Sequence, residues 1–132
     1  MNPLPDRLAA ETLAERLRSL AVPARLQLLA CLRDGETSVA DLERRTGLKQ
    51  PGLSQQLGEL RQAGWVNTRR QARSVLYSLA GPDTPLLLTA LSALLLEEGG
   101  AERLAAALAT PDPAPAPRAV EAAVFARVGR AA

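Results

Sequence analysis

Apolar residues recur at helical spacing through the first half of the chain. Leu13, Leu17 and Leu20 fall at i, i+4 and i+7, with Arg7, Arg16 and Arg18 on other faces, so a helix is expected from Arg7 to Leu20. Pro23 suits the first turn of a second helix that runs to Arg33 with Leu26, Leu28, Leu29 and Leu32 inward, and Asp34-Gly35 ends it. A short third helix is expected from Val39 to Thr46, stopped by Gly47, where the chain must turn sharply through left-handed backbone angles. Pro51 can open a fourth helix that reaches Ala63, with Leu53, Leu57 and Leu60 on one face and Gly64 as its cap. Two helices joined by a short turn containing glycine are the sequence form of a helix-turn-helix.

The period then changes from helical to alternating. Val66 to Arg70 and Ser74 to Leu79 read as two strands, with Val75, Tyr77 and Leu79 on one face and Gln71-Ala72-Arg73 as the hairpin tip. Thr84-Pro85 reads as the cap and first turn of a last long helix, Leu86 to Glu98, and seven leucines cover more than one of its faces. A chain this short cannot cover such a helix all round, so part of it is expected to meet a partner. Ala101 to Ala109 is again helical in pattern. Four alternating prolines between Thr110 and Pro117 mark a linker, and Val120, Val124 and Val128 beyond it are spaced for at most a weak amphipathic turn. The fold expected is mainly α with a small two-stranded β-wing, a winged helix-turn-helix. Residues 1–109 would form the DNA-binding and dimerisation domain, and 110–132 a Pro/Ala-rich disordered tail.

Composition narrows the chemistry. Only Trp65, Tyr77 and Phe125 are aromatic, so a core must be built of Leu, Val and Ala, which favours helices. The net charge is +2, but Lys49, Arg61, Arg69, Arg70 and Arg73 face only Glu59 within one segment, which carries +4 and leaves −2 for the rest. A basic segment on a mildly acidic body is the footprint of a nucleic-acid reader. There is no histidine and one cysteine, Cys31, which leaves no intrachain disulfide, His-based metal site or nucleophile–base pair. No enzyme activity, metal or cofactor is therefore expected. The N-terminal residues lack a signal-peptide pattern, and the apolar run Leu86 to Leu96 is too short to span a bilayer, so a cytoplasmic protein without membrane contact is expected.

The same residues resemble a known family. The stretch Leu20-Ala21-Val22-Pro23-Ala24-Arg25-Leu26-Gln27-Leu28-Leu29 is similar to the second-helix signature of ArsR/SmtB-type repressors. Ser38 to Leu42, Gln50 to Leu57, Leu60 to Val66, Arg69 to Arg73 and Leu76 to Leu79 continue the likeness in order, over about residues 10 to 98. The resemblance implies a homodimer, joined through the first and last helices, that binds an inverted-repeat operator in double-stranded DNA. Leu13, Leu17, Leu87, Leu91, Leu94 and Leu95 are the expected interface. Near the start of the fourth helix, Gln55 and Gln56 carry amides able to read adenine through N6 and N7, Ser54 and the helix N-terminal amides suit phosphate, and Gln50 suits either. Arg69 and Arg70 are adjacent on a strand and point to opposite faces, so Arg73 at the tip is the better candidate for minor-groove or phosphate contact. The family usually has glycine near this tip, where Ala72 stands. A winged helix that serves only as a protein-interaction module is the alternative.

The resemblance also bears on the signal sensed. The arsenic-sensing members carry a cysteine pair on the third helix, where this chain has Ser38-Val39-Ala40-Asp41, and the zinc-sensing members need histidine. A sulfide- or persulfide-responsive branch uses two cysteines, and Cys31 resembles the first of them. Glu97 and Glu98 stand near the expected place of the second, so a dithiol switch cannot operate unchanged. Cys31 is then a buried small hydrophobe, a single reactive thiol answering a thiol-reactive or persulfide inducer, or a thiolate ligand.

Overall fold

The computed structural model describes residues 6–109. Helix α1 (Arg7–Arg18) opens on the Asp6 carboxylate, which accepts from the Ala9 amide at 2.8 Å. It ends two residues before the expected Leu20, and Leu20 is buried in the turn that follows. Val22 and Pro23 then start α2 (Pro23–Leu32) with proline in the first turn, as expected. Leu28, Leu29 and Leu32 are buried, whereas Leu26, expected inward, is 38% exposed. At about 100° per residue Leu26 lies roughly a third of a turn from the middle of that stripe.

The helix-turn-helix follows the sequence closely. Helix α3 (Val39–Thr46) is capped by the Ser38 hydroxyl, which accepts from the Asp41 amide at 3.1 Å, and Gly47 ends it at φ 76°. Helix α4 (Gly52–Gln62) follows, with Pro51 at the cap position rather than inside the first turn. Leu53, Leu57 and Leu60 of α4 join Leu42 of α3 and Leu28 and Leu29 of α2, all at most 1% exposed, in one core with Trp65 and Val66. Each such leucine contributes roughly 1.5–3 kcal/mol by leaving water.

The wing has three strands, not the two expected. β2 (Val66–Gln71) and β3 (Ser74–Leu79) form the hairpin, and β1 (Thr37–Ser38) pairs with the other edge of β3, giving the antiparallel order β1-β3-β2. Thr37 lies opposite Tyr77 and Ser38 opposite Leu76, so the residue that caps α3 is also a strand residue of the wing. The first helix of the motif is thereby tied to the sheet through the main chain. The tip is shorter than expected: Gln71 pairs with Ser74, leaving Ala72 and Arg73 as a two-residue turn. Ala72 takes φ 56°, and positive φ at the first central residue alone is the II′ hairpin pattern.

The chain divides into two compact units between Thr89 and Ala90, within α5 (Asp83–Leu95). In the first unit α5 begins three residues before the expected Leu86. Thr84 is therefore helical and 5% exposed rather than a surface cap, and Leu88 reaches the core. In the second unit α5 ends at Leu95, short of the expected Glu98, and α6 (Gly100–Ala109) follows. Gly100 packs on the α5 backbone so closely that a Cβ there would lie 1.9 Å from the Ala93 carbonyl oxygen. No helix among the described residues is long and apolar enough to cross a membrane. The expected tail, 110–132, lies outside the described residues.

Candidate nucleic-acid interface

The polar residues at the start of α4 have divided roles. Gln50 Oε1 accepts from the Ser54 amide at 3.1 Å, so its side chain closes the helix end from within. The Leu53 amide donates to Lys49 O at 2.9 Å and the Gln55 amide to Pro51 O at 3.1 Å. Three amides expected to be open to a phosphate thus have internal partners. Ser54 and Gln55 are exposed. Gln56 is half-buried, and its Oε1 accepts from Arg25 Nε at 2.8 Å, while Arg25 Nη1 donates to Ser19 O at 2.9 Å.

The wing arginines also separate. Arg69 forms a two-pronged pair with Glu36, Nε to Oε2 and Nη2 to Oε1, both at 2.7 Å. Glu36 precedes β1, on the far side of β3 from Arg69, so the fork spans the sheet. The hydrogen bond from Arg69, opposed by some desolvation and helped by its charge, holds the Glu36 carboxyl below the ordinary glutamate value. Among the described residues no acceptor engages Arg70 or Arg73, and both are exposed. Adjacent strand positions face opposite ways, which gives Arg69 to Glu36 and leaves Arg70 free. A groove of about 370 Å³ is lined by Ser38 and Val39 at the start of α3, Ser54 in the first turn of α4, and Arg73 with Ser74 at the wing tip. The fold therefore brings Ser54 and Arg73 together from 19 positions apart. It does not bring Gln50, Gln55, Gln56, Arg69 or Arg70 into that lining.

At the other end of α4 lies a cluster that sequence reasoning missed. Gly64 takes φ 87°, its amide donates to Arg61 O at 3.0 Å, and the Trp65 amide donates to Leu60 O at 2.9 Å, the two bonds of a Schellman cap. The Trp65 ring is 7% exposed, and its Nε1 donates to Ser19 Oγ at 2.7 Å. The Arg16 guanidinium stacks on that ring 4.0 Å from the centroid and donates to Ala63 O at 2.6 Å. Gly64 followed at once by a large apolar residue was the signal available in the sequence.

Cys31 is half-buried against the core. The neighbouring Arg33 is engaged elsewhere: its Nη2 donates to Thr89 Oγ1 at 3.0 Å. Arg45 of α3 is held above the ordinary arginine value, chiefly by its hydrogen bond to Asp34 at 2.8 Å. Of the expected interface leucines, Leu13 and Leu17 are 53% and 45% exposed on α1, and Leu87 is half-buried against the core. In the second unit Leu91 is half-buried, and Leu94 and Leu95 are exposed.

A short helix, a tight glycine turn, a second helix with exposed polar residues at its start, and a basic hairpin beside it define a winged helix-turn-helix. Residues 22–68 match the family described as bacterial regulatory protein, arsR family. The chain is 48% identical over 94 residues to the biofilm growth-associated repressor of Agrobacterium fabrum, covering 70% of this chain and 80% of that protein. The crystal structure of the transcriptional repressor BigR from Xylella fastidiosa aligns with a TM-score of 0.62 at 40% identity, covering 67% of this chain and 91% of that one. The solution structure of a homodimeric winged helix-turn-helix DNA-binding domain from Mycobacterium bovis aligns with a TM-score of 0.60 at 31% identity, covering 71% and 89%. The chain belongs to the ArsR family: it is a DNA-binding transcriptional regulator and not an enzyme.

Proposed function

We propose that the protein is a cytoplasmic homodimeric repressor that binds an inverted-repeat operator in double-stranded DNA, with residues 1–109 as its binding and dimerisation domain. The observation that carries this reading is the groove shared by Ser54 and Arg73, beside the exposed Gln55 at the start of α4. Gln55 reads a base edge in the major groove. Ser54 and Arg73 hold backbone phosphates on either side, and Arg70 adds charge from the wing. Arg69 is a strut for the wing through Glu36, Gln50 is bonded to the Ser54 amide, and Gln56 is tied back to Arg25 of α2. The exposed Leu13 and Leu17 on α1 of the first unit support a dimer, and the exposed Leu94 and Leu95 of the second unit support it separately; Leu87 and Leu91 are half-buried. Repression follows the relatives named as repressors. Cys31, half-buried near the end of α2, is the candidate receiver of a thiol-reactive or persulfide inducer.

Selection from a randomised duplex library, followed by titration over a range of salt, tests the reading. The expected result is one enriched inverted repeat with half-sites about one helical turn apart, and affinity that falls steeply with salt. Gln55→Ala should weaken the enriched site by about 1–3 kcal/mol and spare random DNA. Arg73→Ala should weaken both and flatten the salt slope. Salt-independent binding without enrichment would leave a protein-interaction module in its place.

A further inference from the structure

Gly58 is a helix residue that the fold does not require to be glycine. It stands in the interior of α4 with ordinary right-handed backbone, outside the left-handed region that Gly47 and Gly64 occupy. A Cβ built on it would meet no atom of the rest of the fold within 4 Å, so no neighbouring segment needs the space. Glycine inside a helix is nonetheless unfavourable. It lowers the folding constant about two- to fivefold relative to alanine, because the unfolded chain has more freedom to lose. The position is also particular. At about 100° per residue, Gln55, Gly58 and Gln62 fall within about 60° of one another, and all three are exposed. Leu53, Leu57 and Leu60, all buried, lie on the opposite side. Gly58 is thus a bare position in the middle of the outward face of α4, one turn beyond Gln55.

We propose that Gly58 is a clearance residue for DNA: without a side chain there, the main chain of α4 sits deep enough in the major groove for Gln55 to reach a base edge. This deepens the reading of α4 as the recognition helix and rests on it. A helix with its side chains is about 10–12 Å across and the groove about 12 Å wide, so a side chain in the middle of the inserted face sets the depth of seating. Gln55 depends on that depth, because a hydrogen bond weakens steeply once its atoms are more than about 3.2 Å apart. Complexes with random duplex are held by phosphate contacts and need no full insertion. Gly58 therefore bears on discrimination between sequences more than on the overall hold. The lost helix stability and the gained discrimination have one source.

The test compares wild type, Gly58→Ala, Gly58→Gln and Gln55→Ala by urea unfolding, by sedimentation, and by binding to the selected inverted repeat and to random duplex. Gly58→Ala should raise the folding constant about two- to fivefold, yet bind the selected repeat about tenfold or more weakly, with random duplex little changed. Gly58→Gln, with its longer side chain, should bind the repeat more weakly still. A destabilised Gly58→Ala would show that the fold itself needs the glycine and would overturn the proposal. So would binding of the repeat as tight as wild type by either variant, or an equal loss on both duplexes. A loss that sedimentation traces to a weaker dimer would place a second copy, not DNA, against the glycine, and would overturn it too. In all these cases Gln55→Ala still weakens the repeat. If no repeat is selected, or Gln55→Ala binds it as wild type does, the recognition-helix reading falls, and this inference with it.

Discussion

The two ends of α4 are built on opposite plans. At the start, Ser54 and Gln55 are exposed and the groove beside them opens toward the wing tip. At the finish, Gly64 closes the helix, Trp65 is buried behind it, and Arg16 both stacks on the indole and holds the last-turn carbonyl of Ala63. A reader gains from side chains free to meet a base, but only if the rod that carries them is held still. Both ends have their backbone groups bonded, but aromatic burial and the side-chain clamp of Arg16 are found only at the end away from Ser54 and Gln55. On the proposed reading of α4, clamping one end with Trp65 and Arg16 and leaving Ser54 and Gln55 exposed at the other lets stability and recognition be altered separately.

That separation is breakable by substitution. Trp65→Ala removes the indole, its bond to Ser19 and the platform under Arg16, and should cost about 3–5 kcal/mol in urea unfolding. Gln55→Ala should move the same midpoint by less than about 0.5 kcal/mol. If the two substitutions destabilise equally, the ends are not differently built. Gly64→Ala has a smaller expected effect. No atom lies within 4 Å of a Cβ at that position, so the cost is the left-handed backbone alone, about 1–2 kcal/mol, and Gln55 should still read its base in the folded fraction. The smallest effect concerns Glu36. Its carboxyl is held below the ordinary glutamate value in the folded protein by the Arg69 hydrogen bond, so the fork helps the wing fully above that ordinary value and is lost as pH falls through the lowered one. Carboxyl chemical shifts of Glu36 should titrate below those of a free glutamate, and Arg69→Gln should bring them back. Between pH 6 and 8 neither end of α4 should respond to this group.

Where a single segment carries its own signal, the sequence was readable. The Val39–Thr46 helix, the Gly47 turn, the Leu53-Leu57-Leu60 face and the Ser74–Leu79 strand all follow from local spacing and one glycine. The third strand did not, because two residues cannot display an alternation and Thr37-Ser38 reads equally well as a cap. Thr84 was misplaced for a related reason: a threonine before proline resembles a helix start, but the helix had already begun at Asp83. The site was legible in its residue types and not in its pairings. Arg69 is 33 positions from Glu36, Gln56 is 31 from Arg25, and Arg16 is 47 from Ala63, separations at which spacing says nothing. Each of those bonds reassigns or explains a side chain that in isolation looked free to meet DNA or solvent.

The alanine at the wing tip has a kinetic and entropic side. Ala72 holds φ 56°, which in an L-residue costs about 1–2 kcal/mol relative to an unstrained conformation, whereas glycine would adopt it freely. Glycine would also give the tip more shapes to visit before contact, all of which association would have to remove. The methyl group narrows the backbone conformations open beside Arg73, so on the proposed reading of Arg73 as a phosphate contact the tip has fewer shapes to give up on binding. The wing tip of this chain accepts a small permanent strain, and on that reading a smaller ordering penalty at each encounter with DNA follows from it.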